Sequence, residues 1–356
     1  MKESTYLLII FIGYFIGTVI LSFLINVFLL KFASNLGIRN TSETFIRWSK
    51  TTKPALGGIS FFLIFLISIA CYSMFFGKTD IAINKRLLGL LGACTVSFLL
   101  GLSDDAYNTK PLIKFSIQIC CAFILISTGN YISIFSNIYF NYAISFFWVV
   151  AMMNSINMLD NMDGITTIVS ITIIMSALFI LFLNHNGKSI HTILLIGVLS
   201  SLIGFLFFNW PPAKMFMGDT GSQFLGLFLA AMGIEYFWNT PDVHNQLIQS
   251  KQFFVTILSF AIPIIDTTTV VINRIKKGKS PFIGGKDHTT HGFFFLGLSE
   301  KRIALLYAGI SFVSMFFNYL IITFIKDWSY LHIILFSIYF LFLFRFLYTP
   351  TIKYGQ

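Results

Sequence analysis

Apolar positions along the chain gather into eleven long runs, at 6–30, 57–76, 87–103, 112–128, 132–153, 164–183, 190–208, 222–238, 253–273, 303–325 and 330–348. Short polar connections separate them. A run of about 17–25 apolar residues crosses a bilayer as one helix, so each predicts a membrane-spanning α-helix, those at 87–103, 112–128 and 222–238 being at the short limit. The runs are continuous, without period-two alternation, which excludes a closed β-barrel. No connection is long enough to fold separately, and no internal repeat is visible. The expectation is an all-α, polytopic integral membrane protein of about eleven transmembrane helices, a single domain over 1–356. The first run is too long for a cleaved leader and lacks a small-residue cleavage pattern, so it is expected to remain as a helix.

Composition agrees with this pattern: 56% of residues are apolar and 11% charged, against roughly 25% charged in soluble proteins. The lipid bilayer is therefore a permanent partner. The net charge of +10 changes the picture by fixing an orientation. With the N-terminus outside, all of the 24 Lys and Arg except Lys2, Lys78, Lys85, Arg86, Lys188, Lys251 and Lys326 fall on the inner side. The positive-inside rule then places the C-terminus inside. This basic collar suits anionic headgroups, and with no basic domain outside the membrane a nucleic-acid partner is excluded. Cys71, Cys94, Cys120 and Cys121 all lie in apolar runs without metal-type spacing and are expected in the core or facing lipid.

The chemistry is concentrated in the inner connections. In Asn209–Ser222, NWPPAKMFMGDTGS, Asp219 stands between glycines and beside the hydroxyls of Thr220 and Ser222. A carboxylate so placed suits a hard divalent cation bridging to phosphates; the alternative is that Asp219 only caps the following helix. Phe216, three residues earlier, could stack on a base or simply pack. In GLSDD, Asp104 and Asp105 repel each other at a helix end near the membrane, where charged residues are functional candidates. Lys110 and Lys114 share one face of a helix starting near Pro111. In NSINMLDNMDG, residues Asn154, Asn157, Asp160 and Asp163 recur every three residues, which would put all four on one face of a helical end.

Upstream, Lys50 and Lys53 could neutralise phosphates or merely anchor the loop, and Gly57-Gly58 break the chain before the second run. Downstream, His288 and His291 in GGKDHTTH could meet one site. Without a third nitrogen or thiolate ligand they are expected to bond phosphate rather than hold a transition metal. His185, His191, His244 and His332 are expected to be ordinary surface residues. Asp266 is expected near the inner end of its span, paired with Arg274 or lining a lipid groove. All the motif aspartates, Asp287 included, fall on one membrane face, above an apolar bundle able to receive a lipid chain.

KPALGG (53–58), GLSDD…K…Q (101–118), NSINMLDNMDG (154–164), FNWPPAKMFMGDTGS (208–222) and GGKDHTTH (284–291) together resemble the polyprenyl-phosphate N-acetylhexosamine-1-phosphate transferases, glycosyltransferase family 4. Five ordered motifs over nearly the whole chain make the resemblance specific. It implies a bacterial inner-membrane enzyme with a cytoplasmic active site. That enzyme moves an N-acetylhexosamine-1-phosphate, GlcNAc-1-phosphate first among them, from a UDP-N-acetylhexosamine to undecaprenyl phosphate, releasing UMP to begin a cell-envelope polysaccharide. It further implies Mg²⁺ (or Mn²⁺) on Asp219, and catalytic roles for Asp104, Asp105, Asp160, His288 and His291. Substrate would be bound by Lys53, Gly57, Gly58, Lys114, Asn157, Asp163, Asn209, Phe216 and Lys286, in a monomer or a homodimer.

The chain departs from the family pattern at Lys53, Ala55 and Asn161, and in the spaced His-x-x-His form followed by Gly292. These departures favour the simple N-acetylhexosamine branch over the branch whose sugar carries a pentapeptide. Direct attack by the lipid phosphate is expected, with Asp105 the preferred group to accept its proton or orient it; a covalent carboxylate intermediate is the alternative. The rivals from other classes are a transporter using intramembrane carboxylates and a non-catalytic lipid-phosphate binder. Acids crowded at one surface, not the midplane, argue against the first, and a complete acid set argues against the second.

Overall fold

The computed structural model describes residues 2–33, 53–76, 84–184, 187–280 and 285–354; Lys50 and His185 lie outside them. Thirteen α-helices occur among the described residues. They are α1 (Lys2–Phe32), α2 (Gly57–Phe76), α3 (Lys85–Tyr107), α4 (Pro111–Ser127), α5 (Ile138–Leu159), α6 (Ile165–Leu183), α7 (Ile190–Asn209), α8 (Gly218–Gly233), α9 (Gln249–Ser259), α10 (Ala261–Lys276), α11 (Thr289–Phe295), α12 (Glu300–Thr323) and α13 (Tyr330–Tyr354). A π-helical turn, Ile234–Trp238, continues α8.

The chain is all-helical and polytopic, but eleven spans is not the number these helices give. Eight are long and apolar enough to cross a membrane, and nine if α9 and α10 are one broken span. Those two meet at a 77° bend. Pro263 sits in the first turn of α10, where it cannot donate the N–H that would continue the ladder from Ser259. The apolar runs 112–128 and 222–238 became α4, of 17 residues, and α8 with its π turn. Apolarity also misplaced a boundary. The run at 132 precedes α5, which starts only after Asn137, whose side chain accepts the backbone N–H groups of Tyr139 and Phe140.

Helix α8 is the axis of the bundle. From Thr220 to Gly233 every residue is buried, and α2, α3, α5 and α6 pack around it. α1 and α2 cover α7, while α12 closes over α6 and α9. Two contacts at the start of α8 require glycine. A Cβ on Gly101 of α3 would lie 2.2 Å from the carbonyl oxygen of Asp219, and one on Gly58 of α2 would lie 2.1 Å from the backbone nitrogen of Gly221. Backbone therefore meets backbone there, as small residues allow between membrane helices. The aspartates of α3 are drawn directly onto the α8 terminus as a result.

Candidate active site

The N-terminus of α8 is partly buried, and its first N–H groups need acceptors. Its own cap position, Met217, offers no side-chain acceptor. Asp105 supplies the oxygens from α3 instead: Oδ1 accepts Asp219 N–H (3.0 Å), and Oδ2 accepts Thr220 N–H (2.8 Å) and the Thr220 hydroxyl (2.6 Å). The cap of α8 is thus Asp105, and Asp219 is released from that role. Both Asp105 oxygens accept hydrogen bonds from the start of α8.

Asp219 turns the other way. Its Oδ1 accepts from Asn157 Nδ2 (2.8 Å), and its Oδ2 lies 3.4 Å from Lys114 Nζ. Asn157 also donates to Ser222 (2.8 Å). Lys114, four residues from the N-cap Lys110 of α4, also pairs with Asp104. Asp104 in turn accepts the N–H and hydroxyl of Thr109, both at 2.8 Å. Of the Asp104 and Asp219 side chains that share this lysine, Asp104 is 4% exposed and Asp219 34%. Asp219 is the more accessible of the two carboxylates.

The segment around Lys53 joins by backbone. Phe216 N–H donates to Pro54, and Gly57 and Gly58 N–H donate to Phe216 and Met217 carbonyls at 3.1 and 3.0 Å. Gly57 and Gly58 therefore spend their backbone donors on the loop that carries Phe216. Lys53 Nζ lies 5.1 Å from the Phe216 ring centroid and 3.6 Å from Asp163. Asn209 also supports this loop. It is buried, its Oδ1 accepts Gly164 N–H and the Thr167 hydroxyl, and its Nδ2 donates to Met215. These bonds staple the 213–216 loop to α6.

The three-residue stripe only half survives, because α5 ends at Leu159. Asn154 faces a buried amide network with Gln118 and Gln223. Asp163, beyond the helix, accepts Ala213 N–H (2.7 Å). Asp160 follows the last helical residue. Burial, then the charges of Asp105 and Asp163, push its carboxyl up to about 7.

A second group adjoins the first through the 160–163 turn. Asn161 accepts the Thr290 hydroxyl at 2.5 Å, and its Nδ2 lies 3.0 Å from His288 Nδ1. His288 and His291 stack edge to face, 5.3 Å between centroids, and both are buried. Burial holds the His291 imidazole down to about 3, so it is neutral at physiological pH. The expected Asp266–Arg274 pair does not form. Asp266 bonds His288 and Thr289, while Arg274 makes a two-pronged bridge to Asp287 at 2.8 and 3.0 Å. Although burial favours the neutral acid, that guanidinium holds the Asp287 carboxyl below its usual range. Lys286 is exposed in the turn before it. Elsewhere, His191 is no ordinary surface residue: its Nδ1 lies 2.9 Å from the Tyr236 hydroxyl.

Thr289, which bears no charge, was not among the sequence candidates, and Asp266 had no part in their chemistry. A lone carboxylate inside an apolar span was the available signal for Asp266.

A family model described as Glycosyl transferase family 4 matches residues 87–237, from the start of α3 into the π turn, which includes Asp104, Asp105, Asp160, Asp163 and Asp219. The chain is 28% identical over 269 residues to the probable undecaprenyl-phosphate N-acetylglucosaminyl 1-phosphate transferase of Bacillus subtilis, covering 73% of this chain and 71% of that protein. It is 27% identical over 285 residues to the decaprenyl-phosphate N-acetylglucosaminephosphotransferase of Mycobacterium leprae, covering 72% and 70%. The phospho-N-acetylmuramoyl-pentapeptide-transferase of Carboxydothermus hydrogenoformans is 28% identical over 298 residues, covering 74% and 83%. These relatives span most of its length and the family model falls on the helices that assemble the acidic site, so over residues 87–237 this chain is similar to glycosyl transferase family 4.

Proposed function

We propose that this protein transfers N-acetylhexosamine-1-phosphate, specifically GlcNAc-1-phosphate, from a UDP-sugar to undecaprenyl phosphate at the cytoplasmic face of a bacterial inner membrane, with its N-terminus outside and C-terminus inside. The observation that carries this is the meeting of Asp219, Asn157, Lys114 and the Asp105 clamp at the end of an apolar bundle. The names of the Bacillus and Mycobacterium relatives support the acceptor and the sugar.

The donor set fits Mg²⁺ (or Mn²⁺) of one kind. Among the described residues no group of three or more His, Cys, Asp or Glu forms a metal cage. Mg²⁺ usually takes one or two carboxylates and fills its shell with water and phosphate oxygens, which the partly exposed carboxylate of Asp219 suits. Bound there, the cation would supply charge neutralisation at the diphosphate. Asn157 and the Asp105 clamp hold Asp219 in place. Lys114 and Lys53 offset the repulsion between two anionic substrates. Phe216 offers its ring to uracil, with Lys53 beside it to meet phosphate. The lipid phosphate attacks the β-phosphorus, its oxygen forming the new P–O bond as UMP leaves with the electrons of the old one.

Asp160 is the carboxylate suited to take the proton of a monoprotonated lipid phosphate, since its carboxyl lies near 7. A base acts only when ionised, so turnover is expected to fall about tenfold per pH unit below 7. Asp160→Asn should flatten that limb at a low rate. A limb unchanged in the variant would belong to the substrate's own ionisation and would remove Asp160 from this role.

The deciding assay is a panel of radiolabelled UDP-sugars with undecaprenyl phosphate and purified protein. Labelled lipid from UDP-GlcNAc is expected, and no lipid product from any sugar would defeat the proposal. The same preparation, stripped of lipid, should not exchange labelled UMP into UDP-sugar. Exchange at the turnover rate would instead establish a covalent intermediate.

A further inference from the structure

Asp266 is the one acidic residue in the sequence of α9 and α10 and is fully buried. Its Oδ1 accepts Thr289 N–H (2.8 Å) and the Thr289 hydroxyl (2.5 Å), and its Oδ2 lies 2.8 Å from His288 Nδ1. Tyr307 donates to the Thr289 oxygen at 2.7 Å, which turns the Thr289 proton toward Asp266. Oδ1 is therefore an acceptor twice over. A proton must lie between Oδ2 and Nδ1, and the two Thr289 donors that hold the carboxylate as an anion leave it on the imidazole. The Asn161 amide, 3.0 Å from the same nitrogen, cannot then donate to it. Asn161 is secured by its bonds to Thr290 and to the Met158 carbonyl. The neighbouring Asp287 is committed to Arg274.

We propose that Asp266 is a positioning residue for the transfer reaction. It fixes His288 with the proton on Nδ1 and leaves Nε2 as the nitrogen that takes up a proton and, as N–H, bonds a phosphate oxygen of the substrate. A carboxylate on one imidazole nitrogen sets the tautomer and favours the cation formed at the other. The buried chain Tyr307–Thr289–Asp266–His288 locks that geometry from behind, using three residues that need not touch substrate. The phosphate role rests on the transferase reading above; the proton placement does not.

The test uses full-length protein with ¹⁵N-labelled histidine, the His288 resonance being assigned by its loss in His288→Gln. Wild type is expected to show a protonated Nδ1. In Asp266→Asn the Thr289 donors keep the amide oxygen in the Oδ1 position, so the NH₂ faces His288 and Nδ1 must become the acceptor. The proton is then expected on Nε2, with kcat lowered at least about 100-fold and KM little changed. A neutral wild-type ring protonated on Nε2 would overturn the proposal, whether or not Asp266→Asn folds. So would Asp266→Asn with an unchanged tautomer or wild-type kcat. Should wild type transfer no sugar at all, the transferase reading fails, while the spectrum still decides the placement of the proton.

Discussion

Asp219→Asn is expected to lower transfer at least about 10³-fold while the protein stays folded. The carboxylate is the more accessible one of the lysine-sharing pair, held by Asn157 at 2.8 Å and facing Lys114 at 3.4 Å. A cation there contributes several kcal/mol to stabilising charge in the transition state, and about 4 kcal/mol corresponds to three powers of ten in rate. An amide preserves shape but halves the acceptor capacity, so one contact with Asn157 or Lys114 is lost. That costs about 1 kcal/mol of stability, a small effect beside the rate. Turnover across a Mg²⁺ titration, with thermal unfolding of the same samples, checks both parts. Wild-type turnover with an unchanged titration would exclude Asp219 from the metal site.

Gly101→Ala is expected to damage both stability and turnover, against its intrinsic preference. Inside a helix Ala is favoured over Gly by about 1 kcal/mol. At this position the new methyl would sit 2.2 Å from the Asp219 carbonyl and 2.4 Å from Thr220 Cα, both backbone atoms with no room to yield. Overpacking costs about 1–3 kcal/mol, and relief here means parting α3 from α8. That separation breaks the three bonds from Asp105 that hold the start of α8. Gly92, on the same helix with nothing within 4 Å of its Cβ position, is the control. Gly92→Ala should be neutral or slightly stabilising. Equal unfolding temperatures and equal turnover for the two variants would show that the α3–α8 contact is looser than these distances.

The contrast between those glycines marks what could be read in advance. Both lie in the same apolar run and look alike in the sequence. Only the packing shows that one faces the backbone of α8 and the other faces open space. The same holds for the aspartates. That Asp104, Asp105, Asp160 and Asp219 are candidates on one membrane face follows from charge placed next to apolar runs, because burying carboxylates is costly unless they meet partners. Which of them does what does not follow, since Asp105 and Asp219 differ only in what lies across from each.

The sequence by itself determined the helical membrane class, the five motifs and the chemistry they share. Hydrophobicity over twenty residues and the cost of charge near lipid are local properties, written in composition along the chain. It did not determine the span count, because apolarity continues past helix ends, as at 132–137, and cannot register the break beside Pro263. It also offered Asp266 the wrong partner, Arg274. His288 lies 22 residues away, and a hydrogen bond depends on the separation of two atoms in space rather than along the chain. The assignment of Asp105 to the helix terminus, Asp219 to the more accessible position and Asp266 to the histidine was therefore decided only when α3, α8 and α10 were packed together.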